Sequence, residues 1–222
     1  MAKVFISAGH GGSDPGACSG NVKEKDLNLS IALACRDELE RHGVEVKMSR
    51  TKDENDPVGD EVKECNSYNP TYGISIHNNA GGGDGCEVFY SHLGGKGKIL
   101  AENILAEMVK TGQNSRGIKT RVNSQGKDYY AFIRNTSCPA VIVECAFVDN
   151  ATDLQILATE DKRKAMGVAI AKGILKTLGV EYQAEKRTLY RVQVGAYLVK
   201  ANAEAMQKKI KAVGFDAFIV KE

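Results

Sequence analysis

Nowhere in the 222 residues is there an apolar run long enough to cross a bilayer, which excludes a helical integral membrane protein. The six cysteines, at positions 18, 35, 65, 86, 138 and 145, contain no CxxC pair. That excludes a Cys-rich zinc module, and several of them fall in apolar runs. They read as small buried hydrophobes of a reducing compartment, not as a disulfide framework. Charge of one sign is also lacking: 30 Lys and Arg stand against 28 Asp and Glu, a net +2. So small a surplus speaks against a nucleic-acid partner. No secretion leader is legible, because Met1-Ala2-Lys3-Val4-Phe5 runs directly into an apolar strand pattern. The expectation is a chain made in the cytoplasm, without integral membrane association.

What is present is an ordinary folded composition, 42% hydrophobic and 26% charged. The length suits one full domain and a small appendage. The charge is unevenly shared. Residues 183–222 carry eight Lys and Arg against four Asp and Glu, whereas residues 1–182 carry 22 against 24. A basic tail on a slightly acidic body suggests two modules with different partners; a small solvated domain with lysines on its outer helix face has the same composition.

Apolar periodicity alternates between strand and helix. Strands are expected at 3–7, 44–49, 73–77, 85–91 and 140–144. Helices are expected at 26–42, from Asp56-Pro57 to about Asn66, and at 99–110, 150–157 and 159–178. The pattern predicts an α/β three-layer sandwich, a mostly parallel twisted sheet flanked by helices. Residues 180–187 break the periodicity and read as a linker. Beyond them, Tyr190, Val192 and Val194 alternate with polar neighbours. Residues 201–213 read as a helix with Ala203, Met206, Ile210 and Val213 inward, and 215–220 as a second strand. This small βαβ unit is too short to bury much apolar area alone.

Four segments place reactive side chains near expected strand ends: Ser7-Ala8-Gly9-His10-Gly11-Gly12, Glu24-Lys25-Asp26-Leu27-Asn28-Leu29, Ser75-Ile76-His77-Asn78-Asn79-Ala80 and Val143-Glu144-Cys145-Ala146-Phe147. Ligands gather at the carboxyl ends of strands in such sheets. Two His and one Glu form a three-ligand zinc site with an open position, and the second Glu is then free to handle protons. Each segment alone also has a structural explanation. Gly-His-Gly-Gly suits an anion-binding nest, and a Glu ahead of a helix complements its dipole. Glu144 interrupts an apolar run, so it needs a partner or a raised pKa; Arg50 or Arg134 could supply a buried salt bridge.

Jointly, in this order and spacing, the four segments resemble the zinc-dependent N-acetylmuramoyl-L-alanine amidases of the Amidase_3 family, over residues 1–179. The resemblance implies Zn2+ on His10, Glu24 and His77, with Glu144 as the catalytic Glu. It also implies hydrolysis of the amide between N-acetylmuramic acid and L-alanine of the peptidoglycan stem peptide. Ser49-Arg50-Thr51 with Asp53, and Arg134-Asn135-Thr136 before Pro139, are softer matches. Two positions depart from the family pattern: Glu61 stands where an Arg is usual in the helix before the His77 strand, and Ala146 where Gly is common. Asn78, Asn79, Tyr129, Tyr130 and Arg134 are expected at the pocket rim.

The tail, with Tyr190-Arg191-Val192-Gln193-Val194-Gly195-Ala196-Tyr197 and then Gly214-Phe215-Asp216-Ala217-Phe218-Ile219-Val220, resembles half of a SPOR domain, a peptidoglycan-binding fold. The implied organisation is a catalytic domain at 1–179, a linker at 180–187 and a wall-binding half domain at 188–222. Two chains could complete one sheet, which predicts a homodimer through 188–222. The expected settings are a phage endolysin or a sporulation or mother-cell-lysis amidase, released onto the cell wall. The rival readings are a non-catalytic wall-binding regulator on the same fold, and a cytosolic zinc peptidase acting on muropeptides.

Overall fold

The first strand, β1 (Lys3–Ala8), is flanked by two others, as expected of a strand buried on both faces. A computed structural model describes residues 2–184 and 192–221. It divides the chain into two units, Met1–Gln183 and Ala184–Glu222. In the first unit β1 is followed by a two-strand ribbon, β2 (Cys18–Ser19) and β3 (Val22–Lys23), and then by helix α1 (Glu24–Arg41). Next come β4 (Glu45–Met48), α2 (Val58–Tyr68), β5 (Tyr72–Asn79), β6 (Cys86–Tyr90), α3 (Lys96–Met108) with a short 3-10 turn at Val109–Thr111, and β7 (Ser115–Lys119). The unit closes with α4 (Ala131–Asn135), β8 (Ala140–Phe147), α5 (Ala151–Ile156) and α6 (Glu160–Leu178).

The sheet order is β4-β1-β5-β8-β6-β7. Every pairing is parallel except β6 with β8, so the mostly parallel sandwich is borne out. Strand parity assigns the two faces. Val4, Ile6, Ile74, Ile76, Val141, Val143 and Val88 point into the main core, beneath α1, α3 and α6. Gly167 and Gly173 let α6 lie close to its neighbours: a Cβ at Gly167 would stand 2.5 Å from the Ile31 carbonyl of α1, and one at Gly173 would stand 2.4 Å from Cα of Ile104 in α3. The opposite face carries smaller clusters. Phe5, Cys65, Phe132 and Ala140 pack under α2 and α4, and Phe89, Ile133 and Ile142 pack beside them.

Helix ends follow local chemistry. Asn150 accepts hydrogen bonds from the backbone N–H of Thr152 and Asp153 at the start of α5, and Thr159 accepts one from Lys162 at the start of α6. Gly179 closes α6 in the left-handed conformation. Pro57 is the cap of α2, not its first helical residue. Val180 and Tyr182 pack against the main core, so the first unit takes in the opening residues of the expected linker. All six cysteines are free; four are buried, Cys138 is half-buried with its sulfur 3.9 Å from that of Cys65, and Cys18 is exposed.

The second unit departs from the sequence reading. Helix α7 (Lys200–Ala212) is present, with Ala203, Met206 and Ile210 half-buried. The flanking strands are not formed among the described residues: 192–197 and 215–221 have no regular structure, and Thr188–Arg191 lie outside the described residues. Val192, Val194, Phe215, Phe218 and Val220 are exposed. The physical reason is that alternation alone does not make a strand. Its backbone needs a neighbouring edge and its apolar face a cover, and one short unit supplies neither.

Candidate metal centre

The site gathers just beyond the end of β1, near the end of β5 and at the first residue of α1. After β1 the Gly9 amide still bonds to the carbonyl of Ile76 on β5, 3.0 Å away. His10 then turns into the left-handed region, φ 64°, an uncommon conformation for a side-chain-bearing residue. It is held there by its own ring, since Nδ1 lies 2.8 Å from Oδ2 of Asp14. That contact leaves Nε2 facing Glu24 Oε2 at 3.2 Å.

Glu24 was expected in the loop before α1; it is the first residue of the helix. Its Oε1 faces His77 Nδ1 at 3.0 Å and accepts from the Asn78 backbone N–H (3.1 Å) and Asn28 Nδ2 (3.2 Å). Oε2 accepts from the Ala17 N–H at 2.8 Å. His10, Glu24 and His77 each offer a ligand atom, and these atoms lie within 4.8 Å of one another. Two imidazoles and a carboxylate are the mixed nitrogen and oxygen set of a catalytic divalent metal.

Charge within this cluster is tightly shared. The Glu24 hydrogen bond raises the His10 pKa to about 9, against the effect of burial and with help from Asp14. For Glu24 burial works against ionisation, and the two histidines overcome it, so the carboxylate is held well below its usual range. Burial would likewise lower His77, but Glu24 and Glu144 outweigh it and the net direction is upward.

Glu144 does not end its strand. It stands inside β8, which runs on to Phe147, directly across from His77 on β5. The register shifts just beyond this pair, a bulge of the kind that re-aims side chains beside active sites. Neither Arg50 nor Arg134 pairs with Glu144. Arg50 is buried and donates to the carbonyls of Ala8, Gly9, Lys25 and Lys52. It thereby ties the end of β1 to the start of α1, a positioning role that the sequence did not reveal. Arg134 donates to the carbonyls of Asp128 and Tyr129. Glu144 Oε2 is sealed from solvent with no hydrogen-bond partner among the described residues. Burial pushes its pKa up to about 7; Glu24 and Glu87 add to the rise and His77 opposes it.

The expected rim residues scatter. Asn78 is buried and donates to Asn28 Oδ1 at 2.8 Å, because parity turns it to the face opposite His77; the rim assignment is corrected. Arg134 is half-buried and bonded to the loop that carries the two tyrosines. Asn79 shares the His77 face and donates to Glu87 Oε1 at 3.1 Å. Tyr129 is exposed, and Tyr130 is half-buried with its ring 4.9 Å from that of Phe89. Residues the sequence reading passed over include Asp14, Asn28 and the cluster of Glu87, Arg116 and Lys119. Asp14, four residues after His10 in a Gly-rich turn, was the most legible of these.

Comparison with known proteins gives one consistent picture. The family profile described as N-acetylmuramoyl-L-alanine amidase matches residues 4–176, and the SPOR domain profile matches 153–221. The chain is 34% identical over 224 residues to a sporulation-specific N-acetylmuramoyl-L-alanine amidase of Bacillus subtilis (strain 168), covering 99% of this chain and 85% of the relative. It is 36% identical over 226 residues to the N-acetylmuramoyl-L-alanine amidase CwlM of Bacillus licheniformis, with the same coverages of 99% and 85%. Among solved structures, Cwp6 from Clostridium difficile superposes with a TM-score of 0.78 at 40% identity, over 80% of this chain and 29% of that one.

Proposed function

The chain belongs to the N-acetylmuramoyl-L-alanine amidase family, and from that premise we propose how its site divides the work: His10, Glu24 and His77 hold a zinc ion, and Glu144 carries the proton. The enzyme is a peptidoglycan hydrolase that cuts the amide between N-acetylmuramic acid and the L-alanine of the stem peptide.

The observation that supports this division is the state of Glu144. A sealed carboxylate oxygen without a partner is costly in a purely structural role, but it suits a group that must take up a proton and pass it on. The three-residue cluster beside it supplies the donors of a catalytic zinc site with a position left for substrate. A zinc ion held by His10, Glu24 and His77 would supply a Lewis acid that lowers the pKa of a water molecule. Glu144 accepts the water's proton and returns it to the nitrogen of the departing alanine; a pKa of about 7 suits both halves of that transfer. Asp14 fixes the His10 ring with Nε2 inward, and Asn28 with the Asn78 amide fixes the Glu24 carboxylate. Mass spectrometry of digested cell wall tests the reaction. A new L-alanine amino terminus on an intact stem peptide is expected, and cleavage only within the glycan or deeper in the stem would overturn it.

For the second unit the proposal is wall binding and pairing with a second copy. The SPOR match supports the first. The exposed apolar residues of 192–198 and 215–220 support the second, because a two-fold partner would offer each segment a matching edge. Size-exclusion chromatography with light scattering decides between dimer and monomer. The proposal extends to setting: synthesis in the cytoplasm and action on the wall after release. Likeness to a sporulation-specific relative along almost the whole chain favours a sporulation role over a phage one.

A further inference from the structure

One row of side chains crosses the sheet from the metal ligands outward. His77 on β5 is level with Glu144 on β8, and Glu144 is level with Glu87 on β6. Residues directly opposite one another across strands point to the same face. On the next strand, β7, Arg116 and Lys119 both reach back to Glu87. Arg116 Nε donates to Oε2 at 2.7 Å, and Lys119 Nζ donates to the same oxygen. The other oxygen, Oε1, is taken by Asn79. Glu87 is thus fully engaged, with a side chain only 5% exposed, while those of Arg116 and Lys119 are each 35% exposed.

This arrangement does more than a structural ion pair requires. One carboxylate faces two cations, which leaves a positive charge in surplus on a half-buried surface. The guanidinium carbon also lies 4.9 Å from the centre of the Phe147 ring, and Nη1 donates to the Asp84 carbonyl at 3.4 Å. Lys119 has donors left over beyond its one bond to Glu87. A surplus cation fixed in place, with donors to spare, fits an anionic ligand.

The order of the row says which part of the substrate passes here. Glu144 delivers its proton to the leaving nitrogen, so the acyl side of the amide lies toward His77 and the peptide side lies beyond Glu144. We propose that Arg116 and Lys119, braced by Glu87, form a subsite for a free carboxylate on the stem peptide. Neighbouring strands are about 4.8 Å apart, so β7 stands about 10 Å beyond β8. A peptide advancing roughly 3.5 Å per residue reaches it two or three residues past the scissile amide. The subsite therefore selects acidic stems over amidated ones. This inference rests on the amidase reaction and on the role given to Glu144.

The test uses two synthetic muramoyl peptides, alike except that the stem carboxylates are free in one and amidated in the other. For the whole wild-type chain, kcat/KM should favour the free acid by about tenfold, mainly through KM, the size expected of a charge-assisted contact. The double variant R116Q/K119M should lose that ratio, and Lys119→Arg should keep it. Lys119→Met alone repeats the test if the double variant does not fold. A wild-type ratio near one, or a ratio unchanged in the variants, overturns the subsite. Failure of the wild type to release the peptide from either substrate overturns instead the reaction on which the subsite rests.

Discussion

The imidazole of His77 lies against the backbone of Gly9: a Cβ placed there would stand 2.1 Å from Cε1 and 2.3 Å from Nε2 of the ring. No side chain fits that gap, and the ring cannot swing away without leaving Glu24. Gly9→Ala should therefore misplace one ligand while the main core, on the other face, stays packed. The expected result is a loss of zinc affinity of about tenfold to a hundredfold, the range seen when the support of a ligand is removed. Competition with a chromophoric chelator measures it, with circular dichroism to check the fold; wild-type affinity would show that the contact does not matter.

Glu144 and the ligand cluster should separate cleanly by mutation. Glu144→Gln keeps the shape and removes the proton carrier, so zinc content should stay near one per chain while turnover falls by about 10²–10⁴. His77→Ala should lose both metal and turnover. Elemental analysis and release of L-alanine termini give the two readouts. A Glu144→Gln enzyme with near-native turnover would remove that residue from the reaction.

The four reactive segments could be found in the sequence because each interrupts an apolar strand or precedes a helix. Glu144 stood out most, as a carboxylate between Ala-Val-Ile-Val and Cys-Ala-Phe-Val. What surrounds them could not be found, because it depends on tertiary pairing. Arg50 lies 42 residues from Ala8, whose carbonyl it holds, and Glu87 meets Arg116 and Lys119 only because β7 aligns beside β6. β7 itself went unseen, since Ser115-Arg116-Gly117-Ile118-Lys119 has little apolar signal. Parity, once the strand bounds are known, is what separates Asn78 from Asn79. In the tail the difference ran the other way: a clear alternation predicted strands that are not formed among the described residues, 192–197 and 215–221.

Metal uptake should be coupled to proton release from His10. Its pKa stands near 9 in the metal-free site, above the usual 6.5, because of Glu24, and an imidazole must be neutral to bind metal. Between pH 7 and about 9 the apparent zinc affinity should rise about tenfold per pH unit, with roughly one proton leaving. Without metal the sign for stability is the reverse. The raised pKa favours the folded state below pH 6.5, and that contribution is lost as pH climbs through 9. Calorimetric titrations at pH 7.5 in two buffers of different ionisation enthalpy count the proton, and equal heats in both would contradict the coupling.

Glu61 is a further buried carboxyl, and it stands where the family usually has Arg. It is only 4% exposed, and burial pushes its pKa up to about 7; Asp56 adds to the rise, while His77 and a hydrogen bond from Ser7 oppose it. The folded chain therefore keeps a proton between pH 4.5 and 7 that the unfolded chain gives up. More protons bound in the folded state means that stability falls as pH rises through this window and levels off above it. The loss is on the order of 3 kcal/mol, the free-energy equivalent of a pKa raised from 4.5 to about 7. Glu61→Gln cannot ionise, so the variant should gain on the wild type from pH 5 to about pH 7 and hold that gain at pH 8. Urea midpoints of the metal-free proteins at both pH values measure the gain. Metal-free protein is required because a bound cation would draw the Glu61 pKa back down. A stability difference independent of pH would mean that Glu61 is already ionised in the folded chain and that the Ser7 hydrogen bond, not burial, decides its charge.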